Sequence, residues 1–436
     1  MNIHSFLDTG LAFKNPEQIA ARRDALLGEH LRYLAEHSPF YRKLGSALRE
    51  VRTAADLPLL PLTDKSDLAD PDNVFSCVDS HRMVDCCLTS GTTGRPVALP
   101  QTARDLERLA FNEELSFRGA GIAPGDRVLI AAALDRCFMA GLAYFLGLVR
   151  IGALTIRGGS GSLPVLGELV RNHRPSAIIG VPTLLLRLAE RLQGEGVDPA
   201  SLGVKRLIGI GEPLRNADLS LSPLGLRLGK LWGSDLFGTY ASTEMATSFS
   251  DCCCGRGGHV PPELIVVEIV DDEGRPLPPG QPGEVVATPL QVTGMPLLRF
   301  RTGDIATLHD GPCPCGRNTP RLGPVLGRRS QMLKMRGVTL FPSAIFSVLE
   351  EVAGVRGYYL EVFDEFDLSD RVRVVVGGTA GALDPNDIAE RIAARTRVKP
   401  EVLVMAPEEI QAKVHPGDRR KPVTFFDCRK TTRQGR

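Results

Sequence analysis

The sequence predicts an α/β fold: a large N-terminal domain with parallel βαβ sheets plus a small β subdomain, followed by a small α+β C-terminal domain. Three observations predict it. From about residue 84, short apolar runs alternate with Gly/Pro turns and helical segments, the rhythm of parallel sheet with helices on both faces. After Gly258 the pattern changes to two strands joined by a Pro/Gly loop, which is antiparallel material. From Gly327 a separate helix–strand–strand–helix–strand series begins. The domain boundaries are therefore drawn as 1–326 and 327–436.

Each element follows from its local pattern. Residues 17–38 place Leu26, Leu27, Leu31 and Leu34 at helical spacing. RVLIAAAL (127–134) reads as a buried strand, 140–151 as an apolar helix, and ALTI (153–156) as a short strand. Residues 166–173 read as a helix, 176–182 as a strand and 183–192 as a helix. VKRLIGIGEP (204–213) is a strand running into a Gly turn. ELIVVEIVD and VVATPL flank the loop EGRPLPPGQPGE. In the last segment 343–351 and 389–396 read as helices, and 358–363, 371–376 and 402–405 as strands. The terminal TTRQGR carries no structural signal and is expected to fray.

Composition excludes several classes. The chain has 436 residues, 43% hydrophobic and 24% charged, which is globular material with room for a sizeable core. With 52 basic and 51 acidic residues the net charge is +1, so neither nucleic acid nor an anionic membrane is expected as partner. The start shows no basic stretch followed by an apolar one, and the apolar runs are too short to span a bilayer. The expected location is the cytoplasm. Seven of the ten cysteines fall in three clusters, at 86–87, 252–254 and 313/315. Clustering of that kind favours a metal site over a disulfide framework.

Three short motifs carry chemistry. LTSGTTGRP (88–96) offers the hydroxyls of Ser90, Thr92 and Thr93, and Gly91 and Gly94 let the backbone approach an anion. It lacks the Gly-Lys-Ser/Thr ending of a Walker loop. FGTYASTEM (237–245) follows a short apolar strand expected to end at Gly238. It presents the aromatic face of Tyr240 and the hard oxygens of Thr243 and Glu244, which suit Mg²⁺ carrying phosphates. RFRTGDIA (299–306) places Asp304 after a tight glycine turn, where a buried carboxylate can accept two ribose hydroxyls.

In this order, and followed by GRRSQMLKMRG, the motifs resemble the acyl-adenylate-forming superfamily, and within it the phenylacetate–CoA ligase family. The resemblance runs from about Phe40 to Arg429. It implies a 1–326 AMP-binding domain and a mobile 327–436 domain carrying a catalytic lysine. It implies that Ser90, Gly91, Thr92, Thr93 and Gly94 hold the triphosphate of ATP. Gly211, Glu212 and Pro213 would flank the adenine. Gly238, Thr239, Tyr240, Ala241, Ser242 and Thr243 would line the adenine and α-phosphate, with Glu244 on Mg²⁺. Asp304 and Arg328 would hold the ribose, and Gly337 would lie near the pantetheine of CoA. The tail GDRRKPVTFFDCRK places Lys421 at the catalytic lysine when Asp427 and Arg429 anchor the match. The chain departs from the family pattern at Ser330 and Gln331, where acidic residues are common, and at Ala241, where the family has glycine.

DCCCGRGGH (251–259) and CPCGR (313–317) offer six Cys and His groups, of which tetrahedral Zn²⁺ takes four. Relatives that pair Cys-Xaa₆-His with Cys-Pro-Cys-Gly select Cys252, His259, Cys313 and Cys315, a closed and therefore structural set. The resemblance also points to Cys137, Phe138, Tyr144, Ile210 and Gly238 as walls of an acyl pocket fitting a small aromatic acid. Asp135 and Arg136 read as a surface pair at a strand end, with an inward-facing alternative that would meet a polar ring substituent. The expected partners are a carboxylic acid, ATP, and CoA or a carrier-protein thiol, with a homodimer as a further state. Competent residues at 90–94, Glu244, Asp304 and Lys421 argue against a non-catalytic nucleotide-binding protein.

Overall fold

The computed structural model describes residues 9–89, 96–335, 338–366, 369–379, 381–415 and 423–429. These group into two compact units. One comprises the described residues of Met1–Thr302 and Ala306–Val325, the other those of Gly303–Ile305 and Leu326–Arg436.

The first unit opens with α1 (Pro16–His37), α2 (Ala47–Glu50) and α3 (Lys65–Ala69). Asn15 caps α1 through Gln18 N, and Asp64 caps α3 through Ser66 N and Asp67 N. The leucines spaced along α1 pack with Tyr41, Phe75, Leu297 and Phe300 into one core. A hairpin follows, β1 (Met83–Leu88) and β2 (Ala98–Thr102), antiparallel with Leu88 opposite Ala98. Next come α4 (Ala103–Gly119), β3 (Arg127–Ala131), α5 (Met139–Ile151), β4 (Leu154–Arg157) and α6 (Leu163–His173). The series continues with β5 (Ala177–Gly180), α7 (Pro182–Gly194), β6 (Arg206–Ile210), α8 (Pro223–Trp232), β7 (Asp235–Ser242) and β8 (Thr247–Ser250).

These strands form one sheet in the order β4-β3-β5-β6-β7-β8, parallel except for β8 against β7. Both faces are buried, because alternate residues of each strand feed different cores. Leu129, Ala131 and Ile178 join Leu188 and Trp232 on one face; Val128, Ile130 and Ile179 join Phe117, Tyr144 and Leu148 on the other.

A second sheet holds β9 (Gly258–His259), β10 (Ile265–Val270), β11 (Pro282–Pro289), β12 (Phe300–His309), β13 (Arg321–Leu322) and β14 (Gly327–Arg328). β10 and β11 pair antiparallel, as the two strands around the Pro/Gly loop predict. The second unit continues with β15 (Leu333–Met335), β16 (Val338–Leu340), α9 (Pro342–Glu351), β17 (Tyr358–Phe366) and β18 (Ser369–Gly377). It ends with α10 (Pro385–Thr396), β19 (Glu401–Met405), α11 (Pro407–Val414) and β20 (Phe425–Asp427), in a sheet ordered β19-β18-β17-β20. Among the described residues no helix is long and apolar enough to cross a membrane.

Several local expectations need correction. β3 stops at Ala131 rather than 134, because the chain turns through left-handed conformations at Arg136 and Cys137. α6 and α10 start three to four residues early, at Leu163 and Pro385, because Ser162 and Asp384 cap them and a proline fits the first turn. β7 does not end at Gly238. It runs on to Ser242 because β8 folds back on it. Asp304 lies within β12 and not after a turn, and Gly303 takes a φ of 77° inside the strand.

One buried side chain stitches the first unit together. Arg108 of α4 is fully buried and donates to the carbonyls of Leu290, Ala246 and Leu264 and to the Thr247 hydroxyl. Arg108→Leu removes those donors and leaves the acceptors unpaired. It is expected to destabilise the protein by about 3–5 kcal/mol in denaturant unfolding. A loss under about 1 kcal/mol would mean that water replaces the guanidinium.

Candidate functional site

The carboxyl ends of parallel strands leave a crevice where ligands collect in open α/β sheets. Here the strand ends are in register. Gly180 lies beside Ala131 and Gly209, Gly209 beside Gly238, and Ile210 beside Thr239. The chain therefore delivers the Cys137 turn, Thr183, Gly211 and the 239–243 stretch to one edge. Gly211 turns there with a φ of 75°. The Glu212 carboxylate accepts from Thr183 N and Oγ1 at 3.0 and 2.9 Å, which fixes the loop after β6 against the start of α7.

On β7, Gly238 N donates to Asp251 Oδ2 at 3.0 Å, and the same oxygen takes Arg215 Nε at 2.7 Å. The Asp251 Oδ1 accepts from Gly257 N. Asp251 thus joins β7 to the cysteine loop that follows β8. The Tyr240 ring lies on Phe249, centroids 5.9 Å apart, so one of its faces is covered. The Thr239 and Ser250 hydroxyls are 3.0 Å apart across the strand pair. Between β7 and β8 the chain turns through Thr243 and Glu244. The Glu244 carboxylate is 6% exposed and lies 3.3 Å from Lys65 Nζ at the start of α3. Arg108 grips the next turn, where Ala246 has a φ of 45°.

The expected triphosphate loop, Ser90, Gly91, Thr92, Thr93 and Gly94, lies outside the described residues. Its two ends are tied together: Thr89 N donates to Val97 O, and Val97 N donates to the Thr89 hydroxyl. Leu88 N donates to Cys137 O, which links the hairpin base to the turn before α5. Lys421 and Gly337 also lie outside the described residues. In the second unit Asp304 pairs with Arg328 across β12 and β14, 3.4 Å apart.

The expected acyl walls differ in exposure. Ile210 and Tyr144 are buried, with the Tyr144 ring edge-on to Phe117, whereas Phe138 is half-buried and Cys137 exposed. Asp135 and Arg136 form a solvent-exposed pair at 3.7 Å, so the inward-facing alternative is corrected.

The four zinc candidates converge. The ligand atoms of Cys252, His259, Cys313 and Cys315 all lie within 4.8 Å of one another. The Cys252 and Cys313 sulfurs are 3.7 Å apart, and Cys315 Sγ is 3.4 Å from His259 Nε2. Two thiolates on tetrahedral zinc, each at about 2.3 Å, would be roughly 3.8 Å apart, so the donor set fits. His259 Nδ1 meets the Thr319 hydroxyl at 2.9 Å, the second contact that orients a ligating imidazole. Burial, with Arg317 and Arg321 nearby, lowers the His259 pKa to about 4, which favours the neutral ring a metal needs. Burial pushes the Cys252 thiol well up. Burial also opposes ionisation of Cys315, but hydrogen bonds from Arg317 outweigh it and bring that thiol down.

Sequence reasoning missed Lys65, Asp251, Arg108 and Thr319. Lys65, Arg108 and Thr319 carry no local motif, and Asp251, at the start of DCCCGRGGH, gives no signal that it also holds Gly238 and Arg215.

The family model and the named relatives identify the class as an adenylate-forming enzyme. The chain belongs to the AMP-binding enzyme family, whose model matches residues 35–294. It is 32% identical to the phenylacetate-coenzyme A ligase of Thermus thermophilus over 79% of this chain and 78% of that protein. It is 28% identical to the same-named enzyme of Escherichia coli over 76% and 75%. The fold matches 2-hydroxyisobutyryl-CoA ligase in its postadenylation state with a TM-score of 0.81, at 24% identity, covering 94% of this chain and 89% of that one. The chain is thus an AMP-forming ligase. Family and relatives support acyl-adenylate formation followed by thioester formation with CoA.

Proposed function

We propose that this ligase activates a small aromatic carboxylic acid with ATP and Mg²⁺ and passes the acyl group to CoA. The observation that carries the reading is the alignment of Gly211, Thr239 and the Cys137 turn at one sheet edge, next to the buried Glu244. In the first half-reaction a carboxylate oxygen attacks the α-phosphorus. The bond from that phosphorus to the bridging oxygen breaks, and pyrophosphate leaves. Residues 90–94, by their Ser/Thr/Gly composition, would bind the leaving phosphates. Glu244, beside Lys65, would offer a hard oxygen to Mg²⁺. Gly211, Glu212 and Pro213 flank the adenine, and residues 238–243 line the base and α-phosphate.

In the second half-reaction the CoA sulfur attacks the acyl carbon. The C–S bond forms, the bond to the AMP oxygen breaks, AMP leaves and the thiol proton goes to solvent. Zinc on Cys252, His259, Cys313 and Cys315 is structural, since four protein ligands close its shell. Through Asp251, the cysteine loop holds Gly238 in place.

Asp304 and Arg328 serve the ribose. Asp304→Ala is expected to raise KM for ATP about 10- to 100-fold with a smaller change in kcat, the effect of losing hydrogen bonds to a charged acceptor. An unchanged KM would remove Asp304 from the nucleotide site. The function itself is tested by ATP–pyrophosphate exchange over benzoic, hydroxybenzoic, aminobenzoic, phenylacetic and aliphatic acids, and by thioester formation with and without CoA. Exchange confined to long aliphatic acids would refute the aromatic assignment. Product release unaffected by CoA would refute CoA as acceptor.

A further inference from the structure

Glu113 is a buried acid that the proposed chemistry does not use. It sits on α4 where that helix meets α5 and β8, and it is 4% exposed. A Cβ on Gly147 of α5 would come within 2.4 Å of the Glu113 Cβ, so the two helices touch there and direct the side chain along the seam. The carboxyl has the Ser248 hydroxyl as hydrogen-bonding neighbour, and the Tyr144 phenol feels its charge. Its Oε2 has no hydrogen-bond partner among the described residues.

The neighbouring residue shows what an ordinary carboxylate does on this helix. Glu114 takes Arg118 at 3.0 Å and Arg150 at 2.8 Å. Among the described residues no cation pairs with Glu113. Burial lifts its pKa to about 8, so near neutral pH the group is largely an uncharged acid, able both to donate and to accept. An unpaired buried polar oxygen is costly, and natural folds rarely keep one without a use.

The position supplies the use. Ser248 stands opposite Ala241 in the β7–β8 pair, on the sheet face that α4 covers. Ala241 belongs to the stretch proposed to meet the α-phosphate, and Tyr144 is one of the proposed acyl walls. Directly opposed residues of an antiparallel pair are about 5 Å apart, so Ser248, the hydrogen-bonding neighbour of the Glu113 carboxyl, connects that carboxyl to the stretch. A short acid whose carboxylate sits at the phosphate points its far end at Glu113.

We propose that Glu113 is the specificity-determining residue of the acyl pocket and selects acids bearing a hydroxyl or amino substituent at the end remote from the reacting carboxylate. The inference rests on the acyl-adenylate reading above and names its substrate class. A hydroxyl or amino group pairs the empty Oε2, with Ser248 as a second contact. An unsubstituted ring leaves that oxygen unpaired.

The test is pyrophosphate exchange with benzoate, phenylacetate and their 3- and 4-hydroxy and 3- and 4-amino derivatives, using wild type, Glu113→Leu and Glu113→Gln. A site built around a hydrogen bond rejects the analogue lacking it by up to about 10⁴, so the wild type should favour its best substituted acid by at least about 100-fold over the parent. Glu113→Leu should bring that ratio below about tenfold by losing the substituted acid, with KM for ATP unchanged. Glu113→Gln keeps the shape, removes ionisation and serves even if the leucine variant does not fold. It should shift the preference between hydroxy and amino acids at least about fivefold. An unchanged substituent ratio in Glu113→Gln, or an equal loss for every acid in Glu113→Leu, overturns the proposal and leaves Glu113 a packing residue. Equal use of substituted and parent acids by the wild type overturns it while leaving adenylation standing. Exchange with no acid at all refutes the adenylation reading itself.

Discussion

Lys421→Ala is expected to lower acyl-adenylate formation by about 10² to 10³ while ATP binding stays largely intact. As pyrophosphate departs, negative charge builds on the α- and β-phosphate oxygens, and an ammonium aimed at them stabilises the transition state more than the ground state. Lys421 lies outside the described residues, but the chain on both sides of it is held. Val423 N donates to Val414 O, and β20 pairs in parallel with β17. Arg429 reaches Asp370, the carbonyls of Met332 and Ser330, and Asp427. The described end of the tail, Val423 to Arg429, is therefore fastened within the second unit next to the Ser330 segment. Exchange within about twofold of wild type would show the lysine to be misassigned, and Arg419 and Arg420 would then be tested. A large fall in kcat with KM for ATP unchanged is the expected signature.

Cys313→Ser is expected to abolish the proposed binding of one zinc ion per chain. The remaining three groups cannot close a tetrahedral shell, and the buried pair of Cys252 and Cys313 loses a sulfur. Metal binding would then contribute to the folding of this loop, because an ion on these ligands would join two segments. A lower melting temperature should therefore accompany metal loss. Thr319→Val tests the same site more gently. It removes the contact to His259 Nδ1 and should weaken zinc about 10- to 100-fold in competition with a chelator. Protein purified without stoichiometric zinc would leave these four groups without a metal, and a Cys313→Ser variant that retains zinc would remove Cys313 from its ligands.

Legibility in the sequence followed locality. Strands such as Ala177–Gly180 and helices such as Met139–Ile151 are apolar runs bounded by turn residues, and neighbours along the chain decide them. The convergence of Cys252, His259, Cys313 and Cys315 was expected although its halves lie far apart, because relatives that pair Cys-Xaa₆-His with Cys-Pro-Cys-Gly select these four. The extension of β7 beyond Gly238 was not legible. It depends on β8 folding back, and a glycine in an apolar strand reads locally as its end. Asp304 misled in the same way: Gly303 signals a turn, yet pairing with Arg328 keeps the residue in a strand.

By itself the sequence determined the α/β class and the order of the elements, and it marked out the residues whose chemistry is proposed here. Each is written in residue type and short spacing. Only the tertiary structure decided which charges meet. Lys65 at the start of α3 faces Glu244 after β7, Arg108 of α4 holds the turn that follows it, and Asp251 ties β7 to the cysteine loop. It also sent Asp135 and Arg136 to solvent and left Glu113 buried beside Ser248. Two adjacent acids on one helix, Glu113 and Glu114, are indistinguishable in the sequence. The arginines that reach one and the packing that seals the other come from the fold, because burial and charge pairing are set by partners that local spacing does not encode.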